Sequence, residues 1–190
     1  MRLRLFIALP LTSGLKKKVI FLEEKIEKKI GFKLNWIKPE NLHLTLLFLG
    51  YLSFDDFLKI NQIFDNFPWN EERFLKAFQL KIKKIDFGPP GKNSMIWLYL
   101  EKDKRLEELK NKFEEILEEM KINYKKEERE FLPHINLCRL KNKKITQEIR
   151  EELNWGVIFN KIVLFESTLK KEGAEYTPHK IIELKEITNL

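Results

Sequence analysis

At the start of the chain, apolar residues first recur at every second position and then at every third or fourth position. Residues 2–9 have the alternation of a β-strand, and Pro10 ends it. Thr12 and Ser13 can then cap a helix in which apolar residues recur every three or four positions and which Gly31 terminates. The stripe consists of Leu15, Val19, Leu22, Ile26 and Ile30. The pattern therefore predicts a strand followed by an amphipathic helix.

The rest of the first half continues with the same two kinds of element. Residues 41–49 alternate as a strand that Gly50 ends, and Ser53 with Asp56 forms a capping box at the start of a second helix. The apolar positions of this helix are Phe57, Ile60, Phe64 and Phe67. Residues 78–87 alternate as a further strand. The first half is thus predicted to fold in the order β-α-β-α-β.

The second half begins in the same order. A long helix is predicted after Asp103, and a short one over 146–153. The apolar stripe of the long helix is Leu106, Leu109, Phe113, Ile116 and Met120. The predicted strands cover 95–100, 134–140, 157–166 and 179–187.

Matching positions in the two halves are separated by a nearly constant offset. His43 lies 91 residues before His134, and Thr12 lies 91 residues before Asp103. Because strands and helices often alternate, such an order can also match by chance. The matched histidines argue against chance and favour an internal duplication.

We expect an α+β fold, a bilobal internal duplication in which two antiparallel sheets carry helices on the outside and enclose a central cleft. The whole chain, 1–190, then forms one domain with approximate repeats over 1–90 and 91–190. No segment of linker-like composition separates the repeats, so the two lobes should share one interface.

The composition narrows the class of partner and of site. The 43% hydrophobic content is enough for a packed core, and Lys and Arg (36) exceed Asp and Glu (29), for a net charge of +7. This balance favours an anionic partner, which could be nucleic acid, nucleotide or a membrane surface. One Cys and three His exclude an internal disulfide framework and a cysteine-based zinc site. We expect no metal and no other cofactor.

The beginning of the sequence bears on localisation. Its apolar run lacks a small-residue cleavage site, and charges return by Lys16, so neither a signal peptide nor a membrane span is predicted. We expect a cytoplasmic monomer that does not bind membranes.

The candidate chemistry lies on two of the predicted strands. Alternate residues of a strand share a face, so His43 and Thr45 point to one side, and His134 and Asn136 do the same on the equivalent strand. The opposite face of the first strand takes the apolar residues Leu42, Leu44, Leu46 and Phe48. A pseudo-two-fold axis would bring both polar pairs to one cleft.

Two imidazoles that face one site suit phosphodiester chemistry. A single His in an apolar strand is more often a buried core residue, but two matched His-x-(Thr/Asn) motifs favour function. Histidine titrates near ~6.5, so one ring can accept a proton while the other donates one. A hydroxyl and a carboxamide beside them can donate hydrogen bonds to phosphate oxygens. This scheme requires no metal.

Six segments of the chain resemble the two-histidine (2H) phosphoesterase superfamily, and within it the RNA 2',3'-cyclic phosphodiesterases, also called 2'-5' RNA ligases. The segments cover nearly the whole chain in the expected order, and the resemblance implies the bilobal duplicated fold. They are RLFIALP (4–10), PENLHLTLLFLG (39–50), FGPP (87–90), PHINLCR (133–139), ESTL (166–169) and YTP (176–178).

The resemblance also implies roles for single residues. It makes His43 the proton donor to the leaving oxygen and His134 the acceptor that activates water, although the symmetry of the motifs leaves the two roles exchangeable. Thr45 matches the family's threonine of the first motif, whereas Asn136 stands where the family usually has a second threonine. Arg139 matches an arginine often found after the second motif. Strict alternation places it on the opposite face, so phosphate contact would require a bulge or the strand end, and the alternative is a structural ion pair.

The expected activity is hydrolysis of RNA 2',3'-cyclic phosphate ends, tRNA fragments included, to 2'-phosphates. The alternatives are joining of such ends to 5'-hydroxyl ends, and a module that binds RNA ends without turnover. Intact histidines in both motifs argue against the binding module.

Several further residues have competing interpretations. We expect His179 to be exposed and non-catalytic, while Tyr176 could stack on a base or form the cleft wall. For three aromatic residues core packing is favoured over base stacking, namely Trp36, Trp97 and Tyr51. Most lysine clusters should be solvated surface, and any at the cleft rim would attract RNA. The clusters are 16–18, 81 with 83 and 84, 125–126, 141 with 143 and 144, and 170–171.

Overall fold

Eight antiparallel strands and four α-helices are present in the described part of the chain. The structure is a computed structural model and describes residues 1–67, 71–141, 144–170 and 173–186. The strands are β1 (Arg2–Pro10), β2 (His43–Ser53), β3 (Phe78–Gly88), β4 (Met95–Leu100), β5 (His134–Arg139), β6 (Glu151–Phe159), β7 (Lys161–Lys170) and β8 (Gly173–Glu183). The helices are α1 (Ser13–Ile30), α2 (Phe54–Asn66), α3 (Glu72–Leu75) and α4 (Lys104–Glu119), with a 3₁₀ turn at Pro39–Asn41.

All eight strands belong to one sheet, in the order β6-β3-β4-β5-β2-β1-β7-β8. The α+β class is therefore confirmed, but the prediction of two separate sheets is not. Two four-stranded halves meet at the β2/β5 junction, where Leu44 pairs with Ile135. This pair joins the halves into a continuous sheet.

Each half-sheet contains strands from both parts of the chain. β3 lies within residues 1–90 but pairs with β4, and β7 lies within residues 91–190 but pairs with β1. The strand order is symmetrical about the β2/β5 junction, with β2 matching β5 and β1 matching β4. Neither half-sheet is built from residues 1–90 or from 91–190 alone. The duplication itself stays a prediction.

The three long helices α1, α2 and α4 form where they were predicted, although the Thr12 side chain makes no capping hydrogen bond at the start of α1. The left-handed Gly31 ends α1 at φ 81°, a backbone conformation that glycine adopts without strain. The Ser53 hydroxyl accepts a hydrogen bond from the Asp56 N–H, and the Asp103 carboxylate accepts one from Leu106 N–H. These bonds satisfy N–H groups at the starts of α2 and α4. In α4 the buried stripe uses Leu117 in place of Ile116 and Met120, which are only partly buried.

Four predictions about the extent or type of an element were wrong. β2 continues through Gly50 to Ser53, because β1 pairs with it over that whole length. The helix predicted over 146–153 is absent: β6 begins at Glu151 and pairs with β3, and this pairing overrides the local preference. The single strand predicted over 157–166 is two strands separated by Asn160. β8 begins at Gly173 rather than at His179, and the predicted end at Ile187 lies outside the described residues, as do Lys143 and Lys171.

The core lies between the helices and the sheet face that they cover. The inner strands β1, β2, β4 and β5 contribute fully buried residues to this core, among them Leu5, Ile7, Leu44, Leu98 and Ile135. Within the described ranges, no helix is both long and apolar enough to cross a membrane.

Candidate active site

The β2/β5 junction brings the two predicted motifs together. Leu44 and Ile135, which form the junction pair, are fully buried (0% exposed) in the core. Because neighbours along a strand alternate, the residues on either side of this pair lie on the opposite, accessible face. They are His43, Thr45, His134 and Asn136, all half-buried. In an antiparallel register, each histidine lies across from the polar residue of the other motif.

Both histidines are oriented by the same backbone contact. His43 Nδ1 lies 2.6 Å from the carbonyl oxygen of Asn41, and His134 Nδ1 lies 2.8 Å from that of Leu132. A carbonyl oxygen only accepts, so each Nδ1 carries the hydrogen. Each Nε2 is then left to accept a proton from a substrate or, once protonated, to donate one. The strand geometry therefore gives two imidazoles in the same tautomer, suited to acid–base chemistry.

The electrostatic environment keeps both rings neutral in the free protein at neutral pH. Burial, together with positive charge on His134, lowers the pKa of His43 from 6.5 to about 4, although the contact with the Asn41 carbonyl opposes this. Burial also lowers the pKa of His134, while the Leu132 carbonyl and the negative charge of Glu127 oppose this. A proton added to the pair is thus accepted first by His134.

Aromatic side chains surround His43. The Phe6 ring lies 5.0 Å from the imidazole, tilted by 37°, and Tyr176 contacts it edge-on at 5.3 Å. Phe165 lies further away, at 6.4 Å. Tyr176 therefore forms the cleft wall beside the histidine, one of the two roles that the sequence left open.

His134 has a different neighbour. Its imidazole stacks on the indole of Trp97, with ring centroids 3.6 Å apart and planes inclined by 17°. A Cβ on Gly88 would lie 2.2 Å from Cδ2 of Trp97, so only glycine leaves room for the indole there. Trp97 is buried as expected, but its contact with His134 was not predicted. The signal was available, because Trp97 lies 91 residues after Phe6, the aromatic residue beside the other histidine.

Two buried polar atoms beside His134 have no hydrogen-bond partner among the described residues. They are Nε1 of Trp97 and Oδ1 of Asn136, whose residues are paired across β4 and β5. Buried polar atoms are rarely left unpaired unless a ligand or water completes them. Oδ1 of Asn136 can therefore accept a hydrogen bond that no described protein group donates.

A β-bulge places Arg139 on the histidine face. Trp97 pairs with Asn136 while the next residue of β4, Ile96, pairs with Cys138, so Leu137 is an extra residue. The insertion reverses the alternation, and Arg139 ends β5 as an exposed residue. Its charge acts on the hydroxyl of Tyr176, the residue that touches His43. The bulge that phosphate contact required is thus present, and no carboxylate of the described residues pairs with Arg139.

The same irregularity occurs in β2 and corrects one prediction. Thr45 pairs with Ala8 while Leu47 pairs with Ile7, so the alternation shifts after Thr45. Phe48 consequently lies on the histidine face and not on the core face. Its ring is 41% exposed and stacks with Phe6 at 5.6 Å.

The side chains of the remaining candidates have other partners or are exposed. The Nε2 of His179 is 2.9 Å from Oε2 of Glu166, and the residue is exposed, as expected. The indole N–H of Trp36 donates to Oε1 of Glu27 at 2.9 Å, and the ring packs on the core. Tyr51 is 59% exposed, so the expectation of core packing was wrong for this residue. Within the residues that the structure covers, no three His, Cys, Asp or Glu side chains are grouped as metal ligands.

Comparison with known proteins identifies the family. A family model described as the AKAP7 2'5' RNA ligase-like domain matches residues 5–179. The chain belongs to this family. Curated relatives of this AKAP7 2'5' RNA ligase-like chain include the RNA 2',3'-cyclic phosphodiesterase of Thermotoga maritima, 29% identical over 179 residues that cover 92% of this chain and 91% of the relative. The protein of the same name from Methanocaldococcus jannaschii is 29% identical over 182 residues, 92% of this chain and 96% of the relative.

Solved structures show the same fold. The TT0787 protein of Thermus thermophilus superposes with a TM-score of 0.76 at 21% identity, over 97% of this chain and 99% of that one. LigT of E. coli, solved with 3'-AMP, gives 0.73 at 22% identity over the same shares. The predicted family and fold class are confirmed, and this member of the AKAP7 2'5' RNA ligase-like family is an enzyme of the phosphoesterase class.

Proposed function

We propose that this protein hydrolyses terminal 2',3'-cyclic phosphates of RNA to 2'-phosphates by acid–base catalysis between His43 and His134. The observation that carries the proposal is the pair of imidazoles on one face of the β2/β5 junction, each with Nδ1 held by a backbone carbonyl and Nε2 left for the substrate. The curated relatives named RNA 2',3'-cyclic phosphodiesterase support the choice of substrate. The neighbour that binds 3'-AMP supports a nucleotide in the cleft.

The reaction needs one proton acceptor and one proton donor. Nε2 of His134 removes a proton from water, whose oxygen attacks phosphorus in line with the 3'-oxygen. The bond between phosphorus and the 3'-oxygen breaks, and the protonated Nε2 of His43 gives its proton to that oxygen. The products are a 2'-phosphate and a 3'-hydroxyl, with the proton now on His134. Exchange with solvent restores the starting state.

This scheme requires His43 to become protonated in the complex, although its pKa is about 4 in the free protein. The negative charge of a bound phosphodiester favours the charged imidazolium beside it and raises its pKa. Substrate binding thus supplies the acid form. In the free protein, the aromatic rings of Phe6, Phe165 and Tyr176 bury His43 and keep it neutral.

Three side chains are available to hold the non-bridging oxygens. The Thr45 hydroxyl and the Asn136 carboxamide flank the histidines, and the Arg139 guanidinium reaches the same face through the bulge. Donors to a charged oxygen are stronger than neutral pairs.

The test is incubation with a short RNA that ends in a 2',3'-cyclic phosphate, with and without prolonged EDTA treatment. The expected product is a 2'-phosphate end, identified by phosphorus NMR, at the same rate in both samples. Loss of activity on chelation that a divalent ion restores would contradict the metal-free scheme. Adding an RNA with a 5'-hydroxyl end tests the reverse reaction, because a joined 2'-5' product would make ligation an activity of the same site. Binding without any product would reduce the protein to an RNA-end-binding module.

A second substrate tests which histidine is the acid. Replacing the bridging 3'-oxygen by sulfur gives a leaving thiolate that needs no proton, because thiols are far more acidic than alcohols. His43→Ala should then recover most of its lost rate on the sulfur substrate, while His134→Ala should not. Recovery by His134→Ala instead would exchange the two roles.

A further inference from the structure

Arg4 is anchored on the face that carries the histidines. Its Nη1 donates a hydrogen bond of 2.8 Å to the hydroxyl of Ser167, a residue that is only 5% exposed. The guanidinium also lies over the ring of Phe48, 5.2 Å from its centroid. These contacts, one on β7 and one on β2, fix the direction of a side chain that otherwise has large rotamer freedom. The guanidinium is held in place before any ligand binds.

The charge of Arg4 is not neutralised within the described part of the chain. Most other arginines have a partner there: Arg73, Arg129 and Arg150 pair with carboxylates, and Arg105 donates to backbone carbonyls. Arg4 and Arg139, by contrast, have no carboxylate partner among the same residues, and neither has the exposed Arg2 at the start of β1. Ser167, which holds Arg4, pairs with Tyr176, and the charges of Arg4 and Arg139 oppose the rise that burial causes in the pKa of this tyrosine. Both cations therefore lie on the Tyr176 side of the cleft. Two cations gathered there without an anion favour an anionic ligand.

The position of Arg4 relative to the scissile phosphate follows from the strand register. Ala8 pairs with Thr45, beside the histidines, and Phe6 pairs with Phe48 two residues further along β1. At about 3.3 Å per residue, the Phe48 row lies roughly 7 Å from the Thr45 row. The guanidinium of Arg4 lies over Phe48 and hence about one nucleotide away from the reacting phosphate. It is too far along the sheet to act on the same oxygens as Thr45.

We propose that Arg4, with the hydroxyl of Tyr176, forms a second anion subsite that binds the phosphodiester on the 5' side of the terminal nucleotide. The inference rests on the proposed function and defines its substrate class. The preferred substrate is RNA of two or more nucleotides, because a 2',3'-cyclic mononucleotide has no second phosphate to fill the subsite. Arg139 remains with the reacting phosphate.

Kinetics on two substrates test the subsite: a dinucleotide that ends in a 2',3'-cyclic phosphate, and the matching cyclic mononucleotide. The unmodified protein should favour the dinucleotide. Arg4→Gln should lower kcat/KM on the dinucleotide by about 10- to 100-fold, mainly through KM, because a lost hydrogen bond to a charged group has that effect. On the mononucleotide the variant should stay within about twofold. The slope of log kcat/KM against log salt should also fall by about 1 on the dinucleotide, as expected for one lost phosphate contact.

Two further variants complete the kinetic design. Ser167→Ala removes the hydroxyl that holds Arg4 but keeps the charge. It should therefore reduce the preference for the dinucleotide by less than Arg4→Gln does. If Arg4→Gln does not fold, this variant still tests the subsite. Arg73→Gln is the matched control, because it removes an arginine that pairs with Glu71 and Glu108. It should leave kcat/KM unchanged on both substrates. Equal losses of Arg4→Gln on both substrates would overturn the subsite and leave Arg4 as a support for Phe48.

Calorimetric binding separates this proposal from the proposed function. The 2'-phosphorylated dinucleotide and mononucleotide products are titrated into the unmodified protein and into Arg4→Gln. Tighter binding of the dinucleotide, lost in Arg4→Gln, supports the subsite even where no hydrolysis is seen, in which case only the proposed function fails. Equal binding of both products by the unmodified protein overturns the subsite even if hydrolysis proceeds.

Discussion

The two histidines occupy equivalent places on equivalent strands, but the side chains around them differ. Beside His43 lie three aromatic rings, tilted or edge-on, at centroid distances of 5.0 to 6.4 Å. His134 instead lies flat on one indole at 3.6 Å. The backbone contact of Nδ1 is the same in both. The strands therefore set the matching tautomers, and the neighbouring side chains make the two rings unequal.

This inequality has an electrostatic consequence. Burial disfavours the charged form of both rings, strongly at His43, whereas at His134 the charge of Glu127 and the stacked indole partly offset it. A symmetrical scaffold thus carries two rings of different basicity before substrate binds. Acid–base catalysis requires the two rings to be in different protonation states in the same complex. With His43 as the acid, the bound phosphodiester must reverse the order of basicity that the free protein has.

The strongest test of the pair is removal of each ring. His43→Ala and His134→Ala should each lower kcat/KM by at least ~10²-fold, the usual contribution of a general acid or base. Because the two rings act as a unit, the double variant should be barely worse than either single one. Circular dichroism should show both single variants folded. A folded His134→Ala protein with near-normal turnover would disprove the mechanism.

The polar residues of the two motifs differ as well, since the second motif has Asn136 at the position that corresponds to Thr45. A carboxamide reaches about one bond further than a hydroxyl and offers two N–H donors, so both residues can serve a phosphate oxygen. Asn136→Ala and Thr45→Ala should each reduce kcat/KM by about 10- to 150-fold, as expected for a lost donor to a charged oxygen. Asn136→Thr should stay within about tenfold of the parent protein. An unchanged rate in Asn136→Ala, beside a large loss in Thr45→Ala, would show that Asn136 does not bind phosphate.

The stack on Trp97 can be removed without touching either histidine. Trp97→Leu takes away the flat ring, and Gly88→Ala forces the indole to move, since the new methyl would lie 2.2 Å from it. Both should lower kcat by about tenfold and shift the pH profile of the rate, because His134 loses its orientation and a face that favours its charged form. Trp97→Phe keeps a ring to stack and should recover most of the rate. A pH profile unchanged in Trp97→Leu would reduce the indole to core packing.

Much of this arrangement was predictable from residue spacing. The motif pairs share a face because alternation is a local property of a strand, and the caps at Ser53 and Asp103 depend on residues within one turn. The matched offset of His43 and His134 indicated one shared site. These features depend on neighbours in sequence.

What could not be predicted depends on partners distant in sequence. The bulges that turn Phe48 and Arg139 to the histidine face are defined by β1 and β4, whose pairing fixes where an extra residue is inserted. The strand at Glu151–Phe159 forms because β3 is available beside it, although its sequence also suits a helix. The joining of the two half-sheets through the Leu44–Ile135 pair is likewise something that no local pattern specifies.

The smallest expected effect is on stability, and it compares the burial of the two rings. Burial lowers the pKa of His43 from 6.5 to about 4. Between these values the unfolded chain binds a proton at this ring that the folded protein does not, so the free energy of unfolding falls as the pH falls through this window. His43→Asn removes the titration. Between about pH 7 and about pH 5.5 the variant should therefore lose less stability than the parent, by about 1 kcal/mol in urea unfolding.

The comparison must be made between parent and variant, because another buried group titrates in an overlapping window with the opposite sign. Burial raises the pKa of Glu23 to about 7, so the folded protein binds its proton more readily and this contribution to stability grows as the pH falls. That contribution cancels in the difference. His134→Asn provides the matched control: Glu127 opposes the lowering of its pKa, so its effect on the pH dependence should be smaller. Equal effects of the two variants would mean that the aromatic rings beside His43 and the indole desolvate the two imidazoles to the same degree, and the proposed inequality of the pair would then be wrong.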